Sequence, residues 1–491
     1  MTTSDKRRAN PELGAVLDAM LHRNLSRRNV LRLAGLGTLG ATAALVAGST
    51  PIRGLRPQSV AADTSTTFRE IKLAATDGFI YVPGAVRGPA SVDFLPDPLS
   101  PMGDGSLPPG TTAPNMWGFG FRMVGDRVVR PATPDEVALS IPETAVVNQR
   151  GHFQASAPQI SVDESMDVHI NLRNLGLSVR PDLTDSHTIH WHGFRNAIPL
   201  FDGVPEVSIA VPVGRDFTYF YRPSTTGPGT YMYHCHNEDV EHVSMGMTGI
   251  IYVRAAQNHS LVAGIPKARL AGGTDPDAPM GYAYNDGVAP TNAHSTAYDR
   301  EYGMFLSEAW AQEHFEGAHI QEHDWSEYHP DIWLLNGRSY PDTIAPPGGG
   351  TDTASGDLIA PAGRDDLQYQ PISSLITARP GDRILLRFVN LGYQQQAMTT
   401  DGIRMRVVGK DATLLRRGTT WQDYWTNTVL IGPGESVDAI VIAPSVANGT
   451  SYRIYNRNLA NLHNPGTAGL GGQMTEIHIQ SGVAPQEEPN T

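Results

Sequence analysis

From Ile160 to Gly176 the chain reads I-S-V-D-E-S-M-D-V-H-I-N-L-R-N-L-G, apolar and polar residues largely alternating. A period of two predicts a strand with one face in a core and the other toward solvent. The pattern resumes in Ile209–Gly214 and Phe217–Tyr221, then in Tyr231-Met232-Tyr233, and Gly249–Val253 closes the run. Phe79-Ile80-Tyr81-Val82 predicts an earlier strand, and the Pro/Gly-rich stretch from Asp93 to Pro114 a surface loop or cover. Few segments carry a helical period, so the chain reads as strands joined by turns.

The order then repeats. Ile376–Gly392, I-T-A-R-P-G-D-R-I-L-L-R-F-V-N-L-G, aligns without a gap on Ile160–Gly176 and ends in the same Asn-Leu-Gly. Val429–Gly434 echoes Val211–Gly214, and Gly449-Thr450 with Tyr455-Asn456-Arg457-Asn458 echoes Gly229-Thr230 with Tyr233-His234-Cys235-His236. Internal repetition of this kind predicts two copies of one β-sandwich. The segments expected are 1–62 as an export signal and N-terminal stretch, 63–255 as the first sandwich, 256–330 as a linker, 331–482 as the second sandwich and 483–491 as a tail.

Composition adds limits. The 491 residues include 50 Gly and 37 Pro and carry a net charge of -13, which argues against nucleic acid or an anionic membrane as partner. Ser26-Arg27-Arg28-Asn29-Val30-Leu31-Arg32 precedes an uncharged run from Leu33 to Ala47. That is the pattern of a twin-arginine export signal, too short and Gly-rich to span a bilayer, with cleavage expected near Ala61 or Ala62. The expected location is therefore secreted or periplasmic, in the cell envelope. One Cys among 491 residues has no partner for an intramolecular disulfide in an oxidising compartment, so metal ligation is its expected use.

That residue, Cys235, stands between His234 and His236 at the end of an alternating run, so its thiol and the two imidazoles face opposite sides and can serve two metal centres. His242 and Met247 follow, and two His, one Cys and a weak axial Met make a blue-copper set. A second motif, His187-Thr188-Ile189-His190-Trp191-His192-Gly193, places His190 and His192 on one face and supplies the missing His.

H-x-x-H-x-H-G followed by H-C-H and then His242 and Met247 resembles the copper-binding half of multicopper oxidases, the family that includes laccases and is related to copper nitrite reductases. The resemblance implies an all-β fold of two tandem cupredoxin-like Greek-key β-sandwich domains. It implies His187, Cys235, His242 and Met247 as type 1 copper ligands, His190 as a type 2 ligand, and His192, His234 and His236 as type 3 ligands, with Cys235, His234 and His236 carrying electrons between centres. The implied activity is one-electron oxidation of a phenol, amine or metal-ion donor, with dioxygen as acceptor. A nitrite-reductase-like enzyme and a non-catalytic blue-copper electron carrier are the alternatives. His242 follows Cys235 by seven positions, an interval longer than in laccases and shorter than in nitrite reductases.

The second copy has Asn456-Arg457-Asn458 where the first has H-C-H, and no His occurs between His329 and His463. The family's three-copper cluster takes eight histidines from two facing domains, and the first copy offers four. The others come from the linker residues His314, His319, His323 and His329, or from a second copy of the chain in a homo-oligomer, or no such cluster forms. Glu238, Asp239 and Glu241 are candidate proton donors beside the ligands.

Overall fold

The computed structural model describes residues 67–83, 116–130, 133–194, 198–318 and 324–486. The export motif, the Pro/Gly-rich stretch from Asp93 to Pro114, His319 and His323 lie outside the described residues.

Two all-β sandwiches follow one another. In the first, strands β1 (Phe68–Ile80), β2 (Met116–Arg130), β3 (Thr133–Ser140), β5 (Asp167–Asn174) and β7 (Asp216–Tyr221) form one sheet in the order β3-β2-β1-β5-β7. Strands β4 (Ile160–Asp163), β6 (His190–His192), β8 (Gly229–His234) and β9 (Thr248–Arg254) form the other, in the order β4-β9-β8-β6. Buried apolar side chains from both sheets, among them Ile170, Leu172, Trp191, Tyr233 and Ile251, make one core between them.

The second sandwich repeats the pairings. Arg300–Ala309 runs parallel to Arg383–Asn390 as β1 does to β5, and Ile376–Ala378 runs parallel to Met474–Ile479 as β4 does to β9. Gln396–Thr400 pairs antiparallel with Thr450–Asn456 as β6 does with β8. The shared Asn-Leu-Gly has a physical reason. Asn174 Oδ1 accepts from the N–H of Gly176 at 2.8 Å, while its amide donates to the carbonyl of Val211; Asn390 does the same with Gly392 and Ile431. The asparagine thus closes the same strand-end turn in both copies.

One expectation is corrected. Arg300–Ala309, within the stretch read as a linker, is an inner strand of the second sandwich. Nine of its ten residues are buried, so both its faces are covered and it carries no alternation for a sequence reading to find.

A further departure lies at the metal motifs. Strand β8 stops at His234, and a helix, Asp239–Met245, fills the interval between Cys235 and Met247. The ends of this insert are tied: the N–H of Cys235 donates to the carbonyl of Met247 at 3.0 Å, and that of Met247 to the carbonyl of His242 at 2.9 Å. The seven-residue interval is a turn of helix that returns His242 to the cysteine.

Candidate metal centre

Strand β8 is buried along its whole length. Tyr231, Tyr233 and, beyond the strand, Cys235 point into the core of the first sandwich. Met232, on the other face, packs with Phe305, Val389 and Leu391 of the second sandwich. The alternation expected of the H-C-H motif therefore holds: the cysteine is on one side and His234 on the other.

On the cysteine side, His187, Cys235, His242 and Met247 are all fully buried. The Nδ1 atoms of His187 and His242 are 3.4 Å apart, and Cys235 Sγ is 3.3 Å from His242 Nδ1. His187 sits just before β6, where its backbone bridges to Val211. The backbone N–H of Thr188 points at Cys235 Sγ from 3.3 Å. Thr188 Oγ1 also accepts from the N–H of His236 at 2.8 Å, so this one residue, inside the motif but not among the expected ligands, fixes both sides of the cysteine.

The chemistry of these donors suits a metal ion. Burial pushes the Cys235 thiol up to about 11 and pulls His242 down to about 4. His187 is also held well below its ordinary value, by burial first and then by His242. Two neutral imidazoles and a thiol converge, and a bound cation would displace the thiol proton. The far nitrogens, Nε2 of His187 and of His242, are buried with no hydrogen-bond partner among the described residues. Glu238 and Asp185 carboxylates stand 3.8 and 3.9 Å from His242 Nε2.

On the opposite side, His190, His192 and His234 each offer a ring nitrogen within 4.8 Å of the others. His234 Nδ1 lies 2.8 Å from the carbonyl of Cys235, and His190 Nδ1 lies 2.6 Å from that of Asp202. With those Nδ1–H groups donating, Nε2 of both rings keeps its lone pair for a metal. Burial lowers His234 to about 3 and lowers His190 and His192 as well, so these rings are neutral ligands. His236 stands beside them, its ring 5.1 Å from that of His190 and 5.5 Å from that of His234, but outside the 4.8 Å group. Asp202, whose carbonyl aims His190, lies nine residues beyond the motif and carried no sequence signal.

The described linker histidines do not join either group. His314, on the helix Ala311–Ala318, has its Nδ1 2.6 Å from the carbonyl of Trp117, and His329 is exposed. Of the three acids proposed as proton donors, Glu238 is next to His242, and Asp239 is 4.0 Å from His236. Where the second copy lacks ligands, Asn456 donates to the side-chain oxygens of Gln396 at 2.6 Å and Gln473 at 2.7 Å. A buried amide network fills the place of a metal.

Comparison with known proteins agrees with this geometry. The family described as multicopper oxidase matches residues 142–258, which hold every candidate ligand. Over 110 residues the chain is 33% identical to multicopper oxidase VdtB of Byssochlamys spectabilis, covering 22% of this chain and 14% of that protein. Over 302 residues it is 23% identical to laccase-15 of Oryza sativa subsp. japonica, covering 61% of this chain and 39% of the other. The chain thus matches well under half the length of these relatives. The solved blue copper oxidase of Nitrosomonas europaea has the same fold, with a TM-score of 0.50 at 22% identity, covering 84% of this chain and 85% of that one.

Proposed function

We propose that the chain belongs to the multicopper oxidase family and is a copper-dependent oxidoreductase taking single electrons from a phenol, amine or metal-ion donor and passing them to dioxygen. We assign His187, Cys235, His242 and Met247 to a type 1 copper, His190 to a type 2 copper, and His192, His234 and His236 to type 3 copper. The observation that carries this reading is the one-residue step between two donor sets. Cys235 faces His187 and His242, while its neighbour His234 faces His190 and His192.

Copper, when bound, supplies a centre that gains and loses one electron on each side of this strand. The chain does the rest. The peptide between Cys235 and His234 joins the two donor sets through covalent bonds, and the carbonyl of Cys235 also accepts from His234 Nδ1–H. Full burial of the cysteine set keeps water from the thiolate, and the N–H of Thr188 stabilises its charge. The Asp202 and Cys235 carbonyls hold His190 and His234 in the tautomer that ligation needs.

Four histidines on one face do not complete an eight-histidine cluster, and the second sandwich supplies none there. We therefore assign the active form to a homo-oligomer. Two chains meeting where His190, His192 and His236 are half-buried would hold two blue coppers and one shared cluster, about five coppers per dimer, isologous contact being the commonest way for one sequence to supply both halves of a site. Metal analysis together with sedimentation of the copper-loaded, mature protein tests this. An oligomer with more than one copper per chain that dissociates when copper is stripped is expected. A monomer holding one copper, inactive on phenols under air, overturns the oxidase reading in favour of an electron carrier.

The export motif completes the assignment. Arg27 and Arg28 are expected to send the chain out of the cytoplasm already folded, and changing both to Lys is expected to leave it unexported in its host. Unimpaired export of that variant excludes the twin-arginine route. No helix among the described residues is long and apolar enough to cross a membrane.

A further inference from the structure

The second sandwich has no ligands, yet it grips the strand that carries them through buried charge. Arg387 and Asp438 face each other across the antiparallel strands Arg383–Asn390 and Ser436–Ile442, and Glu301 stands on the neighbouring strand. Arg387 and Glu301 are fully buried, and Asp438 is 2% exposed. Arg387 Nε donates to Glu301 Oε1 at 2.6 Å, and its Nη1 is 3.4 Å from Asp438 Oδ1. Burial opposes the guanidinium charge, but Glu301 and Asp438 outweigh it and hold the group charged.

This network reaches across to Thr230 on β8. Arg387 Nη1 donates to Thr230 Oγ1 at 2.9 Å, and that hydroxyl donates onward to Asp438 Oδ1 at 2.5 Å. Ser436 Oγ donates to the Thr230 carbonyl at 2.7 Å, and the guanidinium lies over the Tyr252 ring of β9, 4.8 Å from its centroid. Along β8, Thr230, Met232 and His234 share a face, the one turned toward the second sandwich. His192 meets the same neighbour: a side-chain carbon at Gly434 would stand 3.4 Å from its ring.

We propose that Arg387 and Asp438 are positioning residues for the histidine face, acting through Thr230. A buried ion pair gains little stability over apolar side chains of equal volume, because desolvation offsets its attraction. Its directional bonds do fix one rotation and one register of the β6–β8 pair, in which His190 stands opposite His234, against the second sandwich, and so the packing around His234 and His192. The sandwich that lost its metal then serves as a mount for the metal site of the other. Cys235 points away from this contact, so its copper set is independent of the clamp. The proposal rests on the reading that His190, His192 and His234 bind copper.

Copper titration of the full chain, followed by visible absorption for the blue centre and electron paramagnetic resonance for non-blue copper, tests it. Thr230→Val keeps the branched shape and removes the hydroxyl. It is expected to weaken non-blue copper binding about tenfold while the blue band stays as in the wild type, and Thr230→Ser is expected to restore it. Asp438→Asn, which keeps an oxygen for Thr230 but loses the charge, is expected to show the same one-sided loss. Wild-type affinity in both Thr230→Val and Asp438→Asn, equal loss of both signals, or failure of Thr230→Ser to restore binding overturns the clamp. A wild-type protein that takes up blue copper alone overturns instead the copper reading of the histidine face, and the clamp with it.

Discussion

Cys235→Ser is expected to abolish the blue absorption and all oxidase turnover while leaving the fold intact. The blue colour of a type 1 centre is charge transfer from thiolate sulfur to copper, and a serine hydroxyl offers neither the sulfur nor an anion at neutral pH. The same change cuts the route between the two donor sets, since the cysteine is the residue that joins them. The fold has no comparable need of the sulfur. Cys235 is fully buried against Thr188, whose backbone N–H can donate to a hydroxyl as it does to the thiol, and the exchange leaves a gap smaller than a methyl group. Absorption, turnover under air and the unfolding midpoint of the metal-free protein, measured together, separate the two effects. Blue colour retained in the variant excludes Cys235 as the ligand.

The two candidate donor groups were legible because strand alternation is a geometric rule. Three consecutive residues, His234-Cys235-His236, can divide between two faces in only one way, and the structure divides them so. The repeat was legible because Asn174 and Asn390 do the same work, their side chains closing the same turn. The helix Asp239–Met245 was not. It is seven residues long, too short for a period to register, and its position is set by ties at its ends, from Cys235 to Met247 and from Met247 back to His242. Its existence depends on closure of the site rather than on local propensity.

The buried charges were hidden for a different reason. In Ile384-Leu385-Leu386-Arg387-Phe388 the arginine reads as the solvent-facing member of a strand, and the aligned residue Asn171 is on the half-buried face of its strand, opposite the core. In the second sandwich that face lies against β8 and β9, so the position that alternation assigns to water is covered by the other sandwich. Sequence periodicity distinguishes the two faces of a sheet; it does not say what covers each of them. An arginine there is legible only once its acidic partners, 86 residues before it at Glu301 and 51 after it at Asp438, are brought beside it by the fold.

Arg387→Met is therefore expected to cost the metal-free protein about 3–5 kcal/mol of stability, the loss that follows when one member of a buried ion pair is removed. Methionine is of similar length and fills the space, so a cavity contributes little. The cost comes from Glu301 and Asp438, which are left as buried carboxylates with no cation in hydrogen-bonding reach among the described residues: Arg254 Nη2 is 3.8 Å from Glu301 Oε2, too far to replace the 2.6 Å bond that Arg387 makes. Removing the charges together is expected to return most of the loss, so Arg387→Met combined with Glu301→Gln and Asp438→Asn should unfold closer to the wild type than Arg387→Met alone. Denaturant unfolding of the three proteins without copper measures both steps. A loss below about 1 kcal/mol in the single variant is the size of an exposed pair, and would mean that water reaches these carboxylates and that the contact between the sandwiches is looser than full burial of Arg387 requires.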